Sequence, residues 1–235
     1  MTAVLVLLSS CIVVQANSYE AANDESRAYP LRDFSAIEVS GAIDVEFVQS
    51  NNQSYRVKAV GSPDMLSKLQ MEVRNQVLTI KQKPNPGIHS GNYHLTVYVQ
   101  APDLQSVKAS GACDVLIRSL NASAVRLEAR GSSDIKVNRL TANSLELRLQ
   151  GSSDARLAGK VSKAVYTCSG SSDVRAYDLK AEDVSATCSG SSDVYCFATR
   201  SVSAKASGSS DIRIKGNPVQ RQFDKSGSSD IHVLH

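Results

Sequence analysis

Cys168-Ser169-Gly170-Ser171-Ser172-Asp173-Val174 and Cys188-Ser189-Gly190-Ser191-Ser192-Asp193-Val194 are one phrase written twice, 20 residues apart. The core Gly-Ser-Ser-Asp also opens at Gly131, Gly151, Gly208 and Gly227, and a diluted copy, Gly111-Ala112-Cys113-Asp114, precedes them all. The seven glycines stand at intervals of 20, 20, 19, 20, 18 and 19 residues. A unit this short cannot bury its own apolar face, so the spacing predicts a solenoid in which each repeat is one turn stacked on its neighbours.

Aligning the repeats on the glycine separates their faces. Four residues after it stand Val115, Ile135, Ala155, Val174, Val194, Ile212 and Ile231, and six after it Ile117, Val137, Leu157, Ala176, Cys196, Ile214 and Val233. Two before it stand Ala109, Ala129, Leu149, Cys168, Cys188, Ala206 and, as the exception, Lys225. Apolar or thiol side chains at every second position are the mark of strands with one face inward. No unit holds a helical period long enough for a helical solenoid. The expected fold is therefore all-β: a parallel β-helix of roughly 19-20-residue coils about 4.8 Å apart, with an irregular N-terminal β portion. The glycines (Gly111, Gly131, Gly151, Gly170, Gly190, Gly208, Gly227) form a turn ladder at a corner needing positive φ or a close backbone approach.

The carboxylates form a column of their own: Asp114, Asp134, Asp154, Asp173, Asp193, Asp211 and Asp230. Unit charges ~4.8 Å apart in water repel by roughly 0.9 kcal/mol, so such a column needs compensation. Two residues on, facing the same way, lie Leu116, Lys136, Arg156, Arg175, Tyr195, Arg213 and His232, a mostly basic column able to supply it through cross-strand pairs. Asx-type bonds to backbone N–H groups are a second means. Two functional readings stand beside this structural one: a cation ladder on Asp134, Asp154, Asp173, Asp193 and Asp211, and a partner-docking surface. The nonapeptide period of calcium-binding β-rolls does not match these intervals. The second serine of the phrase shares the parity of the inward valines and is expected in the wall, a place that Cys113 takes in the first copy.

The cysteines are Cys11, Cys113, Cys168, Cys188 and Cys196. Cys168 and Cys188 share a column one coil apart, at a separation a disulfide accepts, and an exported protein would permit the bond. Their side chains would also point the same way, which disfavours it. No C-x-x-C spacing signals zinc. His89, His94, His232 and His235 are scattered in sequence, and no G-x-S-x-G elbow is present. No catalytic residue, cofactor or metal is expected.

Outside the repeats, residues 1–16 carry no charged side chain, and Ala3–Val14 matches the apolar segment of a signal peptide. Val14-Gln15-Ala16 resembles a cleavage site. Leu8-Ser9-Ser10-Cys11 resembles a lipobox in which Cys11 would be lipidated. Residues 17–32 read as a linker and 33–109 as the N-terminal β portion, ahead of repeats over 110–235. Within that portion Ser62-Pro63 opens one short helix, Arg74-Asn75-Gln76 turns a hairpin and Lys83 begins a loop. Ser40-Gly41-Ala42-Ile43-Asp44-Val45 carries the repeat phrase in dilute form, so the coil is expected to start there and then be interrupted. With 26 Lys and Arg against 23 Asp and Glu, the net charge of +3 argues against nucleic acid, and membrane contact is expected only through a lipid anchor. The chain stops just after a repeat without an obvious polar cap, so the last coil is a candidate edge for a homo-oligomer.

The run Phe34-Ser-Ala-Ile-Glu-Val-Ser-Gly-Ala-Ile-Asp-Val-Glu-Phe-Val48, followed by Val57-Lys-Ala and the Ser-Gly-Ser-Ser-Asp-Val repeats, resembles the putative auto-transporter adhesin, head GIN domain family. The resemblance implies a right-handed β-helix in a secreted or envelope-attached bacterial protein. It brings no catalytic or ligand residue with it. The expected function is a non-enzymatic binding surface for a glycan or cell-surface protein. A polysaccharide-degrading enzyme and a structural scaffold are the alternatives.

Overall fold

The computed structural model describes residues 24–83 and 94–234. The expected leader 1–16, Cys11, the first part of the expected linker, most of the expected loop after Lys83, His89 and His235 lie outside them. In chain order the elements are β1 (Glu25–Tyr29), β2 (Ala36–Gly41), β3 (Asp44–Gln49), β4 (Arg56–Gly61), α1 (Pro63–Lys68), β5 (Leu69–Arg74), β6 (Val77–Gln82), β7 (Leu95–Ala101), β8 (Ser106–Gly111), β9 (Asp114–Ile117), β10 (Leu120–Gly131), β11 (Asp134–Gly151), β12 (Ala155–Gly170), β13 (Val174–Gly190), β14 (Val194–Gly208), β15 (Asp211–Lys215), β16 (Gln220–Gly227) and β17 (Asp230–Val233). The strands belong to one hydrogen-bonded sheet that winds as a β-helix.

From β8 onward the pairing is parallel, and glycine meets glycine at each corner: Gly111 opposite Gly131, then Gly151, Gly170 and Gly190 in turn. Gly208 and Gly227 continue the file. The repeat thus sets the register, because a slip of one residue would turn every inward valine outward. Two physical demands select glycine here. At Gly170 φ is +91°, and a Cβ would lie 2.5 Å from the carbonyl oxygen of Gly151 in the rung below. The following N–H closes the corner, Ser171 donating to the same Gly151 oxygen at 2.7 Å.

The inward columns make one continuous core. Val115, Ile135, Ala155, Val174, Val194 and Ile212 are buried, as are the thiols Cys168, Cys188 and Cys196. The cysteines are free; Cys168 and Cys188 pair in register and share a hydrogen bond, which with burial pushes the Cys168 thiol up. Burial pushes Cys196 up to about 12. These thiols behave as small core hydrophobes.

The coil does begin at Gly41, with β2 and β3 parallel to β8 and β9. The excursion that follows builds an end piece. β6 and β7 form a further rung on the far side of β2 and β3. Antiparallel β5 and β4 then cover that rung's edges. α1 buries Met65 and Leu66, and Ser62 caps it by accepting from the Met65 N–H. The β5–β6 hairpin turns through Asn75 and Gln76, both at positive φ. One expectation needs correcting: the described part of 17–32 is no linker, since β1 pairs antiparallel with β4 from Glu25 opposite Gly61 to Tyr29 opposite Val57. Alternating burial was too weak to reveal this strand, four of whose five residues are exposed.

Candidate functional site

The Gly-Ser-Ser-Asp corner is held by two side-chain ladders. The second serines (Ser133, Ser153, Ser172, Ser192, Ser210, Ser229) are all buried, with Cys113 in the same column. Four of these hydroxyls accept from backbone N–H groups one rung away: Cys113 donates to Ser133 at 3.1 Å, Ser153 to Ser172 at 3.3 Å, Ser172 to Ser192 at 3.1 Å and Ser192 to Ser210 at 3.2 Å. Each such bond satisfies a buried donor that would otherwise cost about 1–3 kcal/mol. Cys113 Sγ donates to the carbonyl oxygens of Gly41 and Ser110, both at 3.4 Å, as the serine hydroxyls do elsewhere.

The aspartates form the outer ladder. Oδ1 of Asp134, Asp154, Asp173, Asp193 and Asp211 accepts from the backbone N–H of the next aspartate in the column, at 2.9, 3.0, 3.2, 2.9 and 3.2 Å. One oxygen of each carboxylate is therefore a staple between rungs, which offsets the repulsion within the column. The expected ion pairs with the basic column form only in part. Arg213 reaches Asp211 at 3.1 Å and Arg175 reaches Asp173 at 3.5 Å, both within one rung and not across rungs. Tyr195 donates to Asp193 at 3.1 Å. Lys136 and Arg156 make no ion pair among the described residues.

The first members of the column differ. Burial, then the charge of Asp114, raises the Asp44 carboxyl above its ordinary value. Burial, then Asp134, does the same to Asp114. Here Glu46 and Leu116 occupy the column that carries cations further along. These carboxylates, with Asp24 and the His94 side chain 2.7 Å from it, line a groove of about 590 Å³. Among the described residues no three of His, Cys, Asp and Glu converge on one cation position.

The groove continues past the column. Lys136, Arg156 and Arg175 border it and also line a second groove of about 490 Å³, which reaches Tyr177 and Tyr195. Sequence reading placed Tyr195 on this face but missed Tyr177. Tyr177 has the same parity as Arg175 and faces outward at half-burial, but it lies one position beyond the column in which Tyr195 was read. The two rings meet edge to face, centroids 5.6 Å apart.

A family model described as "Putative auto-transporter adhesin, head GIN domain" matches residues 33–218. The chain belongs to this family. Crystal structures of the same fold include a putative adhesin from Bacteroides fragilis, 22% identical with a TM-score of 0.85, covering 92% of this chain and 99% of that one. Another is a putative adhesin from Parabacteroides merdae, 20% identical with a TM-score of 0.70, covering 91% and 97%. A third, from Parabacteroides distasonis, is 20% identical with a TM-score of 0.67 over 90% and 97%, and is named a putative lipid binding protein. No curated protein matches the chain. These likenesses extend the fold, whereas the family membership supports an adhesin-like role at a cell surface.

Proposed function

We propose that the protein is an exported, non-enzymatic surface module whose rigid β-helix presents one long side to a glycan or another cell-surface protein. The observation that carries this reading is the in-register outward column from Lys136 through Arg156, Arg175 and Tyr195 to Arg213. It repeats side chains at a fixed rise, bordered by a groove, as binding to an extended partner by many weak contacts requires. Membership of an adhesin family supports the same role, and the apolar stretch Ala3–Val14 supports export. The purified protein should bind immobilised glycans on an array or retain a component of envelope extract. Failure of both would overturn the reading. The carboxylates of Asp44 and Asp114 beside Lys136 and Arg156 favour one alternative, cleavage of an acidic polysaccharide. Incubation with polygalacturonate should release no reducing or unsaturated ends, and their appearance would make the protein an enzyme.

A further inference from the structure

The geometry points to the Lys136–Arg156–Arg175 strip and its tyrosine-walled groove as the binding site for an acidic, uronate-bearing polysaccharide. This inference rests on the surface-module reading above and assigns it a site and a ligand class.

The strip is unusual within this molecule. Lys136 pairs in register with Arg156, and Arg156 with Arg175, so three cations stand side by side on consecutive rungs about 4.8 Å apart. Like charges directly opposite each other in a sheet are destabilising. Several cations elsewhere on the coil are set against acids: Lys108 on Glu38 at 2.7 Å, Arg118 on Glu46 at 2.8 Å, and Arg126 and Arg148 both on Glu146 at 2.8 Å. Lys160 opposite Lys180 is a second like-charge contact, but it stops at two rungs. All three strip cations are exposed. Lys136 and Arg156 have no ion pair among the described residues and Arg175 reaches only Asp173, at 3.5 Å, so the strip carries surplus positive charge that an anionic ligand would offset.

The surroundings narrow the ligand. Both flanks of the strip are concave, so an occupant would be gripped from two sides. At its far end Tyr177 and Tyr195 offer ring faces and edges, held by Lys215 at 4.2 Å from the Tyr177 centroid and Arg213 at 5.4 Å from that of Tyr195. Acceptors are interleaved with the cations: the second carboxyl oxygens of Asp134 and Asp154, and Asp178 and Asn138 in the groove wall. Guanidinium groups take carboxylates in paired hydrogen bonds, acceptors take hydroxyl groups, and tyrosines cover the apolar face of a sugar ring. A chain bearing a carboxylate and several hydroxyls on each ring uses all three. Duplex DNA would bring phosphates for the cations but few hydroxyl groups for the acceptors and no exposed sugar face for the tyrosines. An anionic membrane would need apolar anchors beside the cations, but the exposed large apolar residues Val48, Val219, Phe223 and Leu234 do not line either groove.

The test is titration of the purified protein with polygalacturonate, alongside neutral dextran, duplex DNA and phosphatidylglycerol vesicles. The expected result is binding of polygalacturonate alone, weakening as salt rises. The triple variant Lys136→Gln/Arg156→Gln/Arg175→Gln should lose at least tenfold in affinity while its unfolding midpoint stays level or rises, since repulsion is relieved. Tyr195→Ala should lose about threefold. Absence of polygalacturonate binding, equal loss on an Arg126→Gln control, or tighter binding of DNA or vesicles would overturn the assignment. If the triple variant still binds glycans on an array or envelope extract as the native protein does, this site falls while the surface-module reading survives.

Discussion

The middle rungs and the last described rung carry the same four-residue phrase yet differ in almost everything around it. In β12 and β13 the residues leading into the corner alternate between buried and exposed, with Val161, Ala164, Tyr166 and Cys168 inside. In β16 all eight residues are exposed. Arg221, Phe223 and Lys225 there pair with Val202, Ala204 and Ala206, so charged groups occupy two of the register positions that elsewhere hold core. Yet the corner itself is intact. Gly227 has φ +76°, Ser229 is buried, and the Asp230 N–H still donates to Asp211 at 3.2 Å. The phrase therefore specifies the turn, and the columns on either side of it specify the core.

This contrast predicts that one substitution costs differently in the two places. Gly170→Ala puts a Cβ against the Gly151 carbonyl, between rungs that cannot part, and should lower stability by about 3–5 kcal/mol in chemical denaturation. Gly227→Ala meets Gly208 oxygen at 2.8 Å in a rung with nothing packed beyond it among the described residues, and should cost about 1–2 kcal/mol. Equal losses would mean that the last rung is as constrained as the middle. The serine ladder sharpens the point. Ser192→Ala strands the buried Ser172 N–H and should cost about 1–3 kcal/mol. The Ser229 hydroxyl donates only to carbonyls, at 3.1 and 2.8 Å, so Ser229→Ala should cost less than about 1 kcal/mol.

How much of this was legible beforehand follows from the same division. Period and parity disclosed the glycine file, the inward valines and the buried serines, because stacking forces equivalent residues into equivalent places. They did not disclose that the aspartates bond to backbone one rung away, or that Lys136 and Arg156 have no carboxylate partner among the described residues. That distinction depends on which way Oδ1 points, a matter of corner geometry and not of composition. Nor did they disclose β1, whose exposed residues carry no burial pattern, or the return of the chain through β6 and β7 to build a rung beyond its own start.

Two smaller effects compare the ends of the aspartate column with its flank. The Asp44 carboxyl is raised in the folded state, so its ionised form opposes folding at neutral pH, and the opposition fades as pH falls toward the ordinary carboxylate range. Asp44→Asn keeps an acceptor for the next rung and should raise the unfolding midpoint at pH 7 by up to about 4 °C, with the gain vanishing near pH 4. Asp183 is the converse. Hydrogen bonds from Arg200, and then Ser201, lower its pKa to about 2. Its contribution is present above the ordinary range and is lost as pH falls from about 4 through 2. Because the pair is exposed to solvent, Asp183→Asn should flatten the acid limb of the stability curve only slightly.

The stacked-rung account is tested most directly by spin-label distances along one outward column. Lys108, Glu128, Arg148, Thr167, Thr187, Lys205 and Asp224 succeed one another in register. Labels on introduced cysteines at Lys108 and Thr187, four rungs apart, should lie about 19 Å from each other, and those at Lys108 and Asp224, six rungs apart, about 29 Å. Separations that grow in proportion to rung number would support a single file of coils. Separations unrelated to it would contradict the fold, and with it the ladder and the binding strip.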